Sequence, residues 1–476
     1  MIKVVSTSLK FTKINNNTKG IMGGKIMTER QRELLKKIII IAIPIAIQNL
    51  INVGVSVTDT LMIGNISEIQ LAGISQANQP YFIFTTLIFG LASGSMVLNA
   101  QYWGQRDTGA IKTIMGLMMR IGIIGGLLAS VVVLIFPEQA VAIFTNEAEV
   151  INYGAQYLSI VGLSYVFSAF TGIYLMGLRS IQNVKISMYI YGLSFILNVL
   201  LNYTLIFGKF GMPRLECRGA AIATLISRIF ESILVLIYMY KIEDKVKFRV
   251  KDIFRKTSKY WKSIATYSLP VLLSEINWGL GISMQAAIIG RLGSNVIAAN
   301  SFINVFQQLS GVAMMGLGGA AGVVIGNLIG RGKKHEEEVI SFSKFLVKIS
   351  VILGVIVVIM VLAIRPIAPS FINSSEQTAK LIKSMLYVSA FLLFFQAITI
   401  TIFVGILRAG GDTAFCAAID IGTLWICKIG LGLLCAFVLK LHPVLVYLIL
   451  SSDECVKAII TIPRVWKGKW IHYTTV

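Results

Sequence analysis

The sequence predicts an all-α integral membrane protein of about 12 transmembrane helices, arranged as two six-helix lobes related by an internal repeat. Three observations carry that expectation. Of the 476 residues 56% are hydrophobic and 14% charged, with a mean hydropathy of +0.78, more apolar side chain than a soluble fold can bury. Apolar stretches of about 20 residues, the length that crosses a bilayer, recur from end to end between short polar loops. Finally, residues 44–106 align without a gap on residues 270–332 at a shift of 226, matching Pro44 with Pro270, Gly64 with Gly290, Asn78 with Asn304, Gly90 with Gly316 and Gly104 with Gly330. Leu178 and Arg179 match Leu407 and Arg408 at a similar offset. Because six spans is an even number, both halves start on the same side of the membrane. They are expected to relate about an axis along the membrane normal, a plan of secondary transporters whose substrate site lies at the repeat interface.

Residues 1–37 are polar and basic and lack the apolar core and cleavage site of a signal peptide. Met22 and Met27 are alternative starts, so the first two dozen residues read as a disordered extension or as untranslated. The first lobe, residues 38–240, carries spans at 38–64, 79–102, 114–136, 151–177, 185–208 and 219–240. The loop after the third holds Glu138, Glu147 and Glu149 and no Lys or Arg, which places it outside. The linker 241–262 holds Lys245, Lys247, Arg249, Lys251, Arg255, Lys256 and Lys259, which places it inside. The second lobe, residues 263–465, has its first span begin at 261, with spans at 261–291, 301–330, 341–364, 380–407, 415–440 and 443–465 and a tail at 466–476. With basic residues at Arg331, Lys333, Lys334, Arg464, Lys467 and Lys469, both termini of this multi-pass cell-membrane protein are expected in the cytoplasm. Lys209, Arg214 and Arg218 run against the pattern, in a loop that should be outside.

The net charge of +21 sits in loops between apolar spans, where it orients a membrane protein rather than binding nucleic acid. Cys217, Cys416, Cys427, Cys435 and Cys455 form no CxxC pair, and His335, His442 and His472 lie in loops or the tail, so neither a metal centre nor a catalytic triad is expected. The nearest approach to a phosphate-binding loop, GNLIGRGK at 326–333, has the wrong spacing and no Ser or Thr after the lysine. The chain therefore reads as no enzyme, monomeric and without a cofactor, drawing any uphill work from an H+ or Na+ gradient.

One residue dominates the chemistry. Asp59 is the single ionisable side chain of the first span, and a charge inside a membrane marks an ion or substrate path. At 1.5 Å rise per residue, Asn198 and Asn202 on span 5 and Thr224 on span 6 reach a similar depth, and a spacing of four puts the asparagines on one helical face. Oxygen ligands of this kind suit a hard cation, and the carboxylate alone could hold a proton; the bland alternative is pairing across helices to hold the bundle. Glu275 on span 7 has no local cation in sequence and is a candidate second coupling site or substrate anchor. Arg228 with Glu231, and Asp453 or Glu454 with Lys457, are spaced to neutralise each other on one helix, while Asp420 and Lys428 need partners from elsewhere. Gly318, Gly322, Gly326 and Gly330 form a four-residue ladder suited to close helix packing.

The TDTLMIG end of span 1, the LRSIQN and LRAGGDT turns, LNVLLNYTLIFG in span 5 and GAAIAT in span 6 resemble the multidrug and toxin extrusion (MATE) family, especially its bacterial DinF-like branch. The resemblance covers essentially everything after Met27. It implies export of amphipathic, mostly cationic small molecules against inward H+ or Na+, by two lobes rocking in the lipid bilayer. It further implies a first-lobe cation site at Asp59, Asn198 and Thr224, with a second aspartate one turn beyond Asn198 where this chain has Asn202. Other branches use a span-7 glutamate eight residues after the proline, whereas Glu275 follows Pro270 by five. The alternative within transporters is a flippase for a lipid-linked saccharide; its cavity would be lined by cations, whereas here four or more acids lie within spans. A passive channel and a membrane enzyme are the remaining classes.

Overall fold

The computed structural model describes residues 29–371 and 375–475. It divides into two units, Met1–Lys37 and Ile38–Val476. In the first, the described residues 29–37 are helical, and Glu33 pairs with Arg30 at 2.7 Å and Lys37 at 3.5 Å. The expectation for the first two dozen residues lies outside the described residues.

The first lobe consists of α1 (Glu29–Gly64), α2 (Glu68–Gly104), α3 (Thr108–Ile135), the short α4 (Pro137–Ala142), α5 (Ala148–Val161), α6 (Tyr165–Ser180), α7 (Lys185–Phe207) and α8 (Glu216–Lys241). A single tighter turn, Gly162–Ser164, joins α5 to α6, so they form one continuous rod. The second lobe has α9 (Trp261–Gly290), α10 (Ser294–Gly330), α11 (Glu336–Ile364), α12 (Glu376–Ile400), α13 (Thr413–Thr423), α14 (Leu431–Leu433), α15 (Pro443–Ile449) and α16 (Asp453–Lys467). Wider turns at Thr401–Leu407, Leu424–Gly430 and Leu434–Val438 extend α12 through α14. Ten of these helical stretches are long and apolar enough to cross a membrane. The thirty-residue α9 is not among them, because Ser268, Ser274, Glu275, Asn277 and Gln285 dilute its apolar content.

Local chemistry sets the boundaries. The Ser67 hydroxyl accepts from the Gln70 amide and the Asp107 carboxylate from the Ala110 amide, satisfying donors that a helix start leaves free. The first of these caps starts α2 eleven residues before the sequence reading, whose polar run up to Gln79 resembles a loop. That run is a helix wall instead: Gln70 is buried and donates to Glu216 on α8 at 2.5 Å. Gly208 ends α7 at φ +65°, a left-handed conformation that glycine adopts without strain. The expected twelfth span breaks after Ile449, whose carbonyl accepts from the Ser452 hydroxyl in competition with the helical ladder.

Each lobe has its own core, one around Ile63, Phe84, Tyr157 and Tyr165, the other around Ile303, Leu386, Leu393 and Tyr447. The lobes meet along α2 from Phe82 to Gly104. Phe82 stands 6.4 Å from Trp278 of α9, and a Cβ on Gly90 would lie 3.1 Å from Leu272. Further along, a Cβ on Gly104 would overlap the backbone of α10. The glycine ladder on α10 serves two partners. Gly318 and Gly322 receive Ile400 and Val404 of their own lobe, whereas Gly326 and Gly330 receive Ala100 and Gln101 of the other.

The 241–262 linker is folded. The buried Glu243 carboxylate accepts from the amides of Val246 (2.7 Å) and Phe248 (3.2 Å), and Asp252 pairs with Arg255 at 2.7 Å. It is strapped to α3, where Gly116 leaves room for the Asp252 carbonyl and Arg120 donates to the Arg255 carbonyl at 3.0 Å.

Candidate functional site

Helices α1 and α7 bring Asp59 and Asn202 together at the end of the first lobe that carries the acidic loop. The Asn202 amide donates to Asp59 Oδ1 at 2.6 Å and to Asn198 Oδ1 at 3.1 Å. Both asparagines are buried, and the Asn202 carbonyl oxygen has no hydrogen-bond partner among the described residues. One NH2 group thus bridges two acceptors, a geometry that the four-residue spacing makes possible. Thr224 of α8 stands beside the Tyr157 hydroxyl, which lies within electrostatic reach of Asp59. Among the described residues Thr224 makes no hydrogen bond to Asp59, Asn198 or Asn202. Arg228 is within electrostatic reach of Asp59 but gives its hydrogen bonds to Glu231, at 3.0 and 3.1 Å. Asp59 is therefore a carboxylate held by one carboxamide, with Arg228 and the Tyr157 hydroxyl within electrostatic reach.

The second lobe differs. Glu275 is not without a cation: Arg408, which follows the wide turn Thr401–Leu407, lies 2.7 Å away. The sequence placed Arg408 in a turn after span 10, but its guanidinium is buried, and the tail packs over that turn at Gly410 and Gly411. Arg408 also reaches Asp420 at 3.9 Å, and Asp420 pairs with Lys457 at 2.9 Å. Lys457 further contacts Asp453 at 3.1 Å and Glu454 at 3.7 Å, with Lys428 within electrostatic reach of Asp453. The break before α16 turns this cluster toward Asp420. The Asp453, Glu454 and Lys457 group read from one helix is thus part of a network spanning α9, α13 and α16, whereas Arg228 and Glu231 pair with each other on α8.

Several contributors were not singled out in the sequence: Tyr157, Gln48, Arg408 and the Asp412–Arg464 pair at 2.6 Å. Only Arg408 left a signal, its match with Arg179 in the repeat. Among the described residues no cluster of three or more metal-ligating side chains occurs.

A family model, MatE, matches residues 44–204 and 270–456, one match in each lobe. The chain belongs to the MatE family. Members are membrane transporters, so this protein is a transporter and not an enzyme. Among curated MatE relatives, a probable multidrug resistance protein NorM of Thermotoga maritima is 24% identical over 445 residues, covering 93% of this chain and 94% of the relative. A probable multidrug resistance protein YoeA of Bacillus subtilis is 23% identical, covering 78% and 79%. Among solved structures, an outward-facing multidrug resistance MATE transporter of the MOP superfamily superposes with a TM-score of 0.82 at 18% identity, covering 94% of this chain and all of that one. A MATE structure in a bent conformation gives 0.81 at 17% identity, covering 93% and 99%. These structures share the two-lobe MATE fold.

Proposed function

We propose that this MatE protein exports amphipathic, mostly cationic small molecules across the cell membrane in exchange for inward H+, by alternating exposure of the space between its lobes. The names of its relatives support drug efflux. One observation carries the coupling reading: Asp59 is an intramembrane carboxylate whose nearest neighbour, Asn202, presents NH2 rather than carbonyl oxygen. A Na+ cage needs oxygen atoms aimed at the ion. A donor aimed at the carboxylate suits a group that gains and loses a proton. The lobe contacts run from Phe82 to Gly104, toward the basic end, and this favours a resting state open at the acidic, outer end.

The cycle follows from charge. Outside, Asp59 takes up a proton and becomes neutral, which lowers the cost of rocking a polar group through the apolar interior. Inside, it releases the proton and the carboxylate favours a cationic substrate. The test is ethidium efflux in everted vesicles with pH and Na+ gradients imposed separately. Efflux driven by the pH gradient alone is expected, and a saturating Na+ requirement at fixed pH would overturn proton coupling.

A further inference from the structure

The last helix, α16, has its amphipathic pattern inverted. Its polar side chains Asp453, Lys457 and Thr461 are buried, whereas Ile459, Ile460, Pro463 and Trp466 are exposed. It is fifteen residues long, carries Arg464 and Lys467 in its last turn, and is not among the ten spans. An exposed apolar stripe that ends in a tryptophan and lysines is the pattern of a helix passing from acyl chains into headgroups.

A cleft of about 200 Å³ opens at that end, between α16 and the start of α13. One wall is apolar, made by Phe415, Ile460 and Pro463, and the other is cationic, made by Arg464, Lys467 and Lys469. Arg464 is fixed in place. Its Nε and Nη2 donate to the two Asp412 oxygens at 2.6 and 3.1 Å, and its guanidinium carbon lies 4.0 Å from the centre of the Phe415 ring. Its Nη1 makes no hydrogen bond among the described residues. Lys467 and Lys469 are exposed, and among the described residues neither has a carboxylate within ion-pair distance. Asp412 is already shared between Arg464 and His472, the latter 3.7 Å away. Three cations thus stand against one carboxylate, beside an apolar wall. An anion with an apolar tail satisfies both walls, whereas a free anion satisfies one.

We propose that this cleft binds an acidic phospholipid, with its phosphate on Lys467, Lys469 and the free edge of Arg464 and an acyl chain along Phe415, Ile460 and Pro463. The excess positive charge attracts a net anion, and it gives a zwitterionic headgroup little advantage because that headgroup's own cation offsets its phosphate. The assignment is independent of the transported molecule and of the coupling ion.

The test is quenching of tryptophan fluorescence in the purified full-length protein, reconstituted in phosphatidylcholine vesicles. A fixed share of the lipid is replaced by brominated-chain phosphatidylglycerol or, in a parallel series, by brominated-chain phosphatidylcholine. The quenching that Trp466→Phe removes reports the lipid beside the cleft. Wild type is expected to prefer the glycerol lipid about tenfold or more, each lysine near an acidic headgroup contributing severalfold. Lys467→Gln combined with Lys469→Gln should reduce that preference to about twofold or less, whereas Lys467→Arg combined with Lys469→Arg should retain it. Excess inorganic phosphate, compared with NaCl at equal ionic strength, should leave the preference in place, because the free ion has no chain for the apolar wall. Equal quenching of wild type by the two brominated lipids overturns the proposal, as does a preference unchanged by the paired Gln substitutions. Loss of the preference to inorganic phosphate would make this a site for the free ion and overturn the lipid assignment.

Discussion

Asp59 and Asn202 form a minimal unit whose behaviour follows from counting charge. Replacing Asp59 by Asn keeps the shape and removes the proton-exchanging group. Efflux should fall to the level of cells lacking the transporter while the protein still inserts at normal abundance, as drug resistance in an efflux-deficient host alongside immunoblotting will show. Asn202→Asp adds a second anionic oxygen beside the first, and a two-carboxylate site holds a hard cation better than one. Its dye efflux should acquire a Na+ dependence absent in wild type; an unchanged response to Na+ at fixed pH would take Asn202 out of coupling. In the other lobe Glu275 and Arg408 are mutually neutralised, so Glu275→Gln leaves a buried guanidinium with only the more distant Asp420, at 3.9 Å. Breaking a buried pair costs about 3–5 kcal/mol, so thermal stability should drop and efflux of cationic and neutral drugs should fall together. A loss confined to cationic drugs would restore Glu275 as a substrate anchor. The difference between these sites shows how far sequence carries. Helical spacing brought Asn198 and Asn202 onto one face, since that relation is local. Arg408 met Glu275 across 133 residues, through a wide turn that no periodicity announces.

At the scale of elements, the glycines of α10 do two jobs that one ladder pattern could not separate. Gly318 packs within the second lobe, Gly322 meets both Val404 of its own lobe and Met96 of α2, and Gly326 and Gly330 receive α2 across the lobe junction. A methyl group on Gly330 would run into the Gln101 backbone, and nothing flexible is there to yield. Gly330→Ala should therefore cost about 1–3 kcal/mol of overpacking, spent only while the lobes are closed at this end. By contrast Gly290→Ala meets open space and serves as the control. Gly330→Ala should slow efflux while leaving expression intact; a rate equal to that of Gly290→Ala would show that α2 and α10 do not need this approach. The loop at 209–218 illustrates a different limit. Its cations contradict the loop-charge rule, yet Arg214 pairs with Glu216 at 3.1 Å and Arg218 donates to Gln156 at 3.0 Å.

For the whole molecule the chain's last residues matter more than a polar tail suggests. Trp470 is fully buried beneath Gly410, and the segment then crosses to the other lobe, where it closes around Gln101 of α2. The Gln101 amide donates to the carbonyls of His472 (3.1 Å) and Ala409 (3.2 Å), and its oxygen accepts from the Thr474 amide and hydroxyl, each at 2.9 Å. Tyr473 donates to Glu336 at 2.9 Å; burial, and then that hydrogen bond, pushes its hydroxyl up to about 12, so it remains a donor at physiological pH. One fully buried glutamine therefore ties the second lobe to the first at the basic end. If the lobes rock, this tie must break whenever that end opens, and it weights the equilibrium toward closure there. Gln101→Leu preserves volume and removes four hydrogen bonds. At about 0.5–1.5 kcal/mol net for each, even a fraction of that loss shifts the open population about tenfold, since 1.4 kcal/mol is a factor of ten. The shift is readable with a single cysteine at Met96, which α10 covers at Gly322, in a protein otherwise free of cysteine. Maleimide labelling in everted vesicles should be about tenfold faster when Gln101→Leu is added. Identical labelling rates would mean that the tail rides with both lobes without holding either.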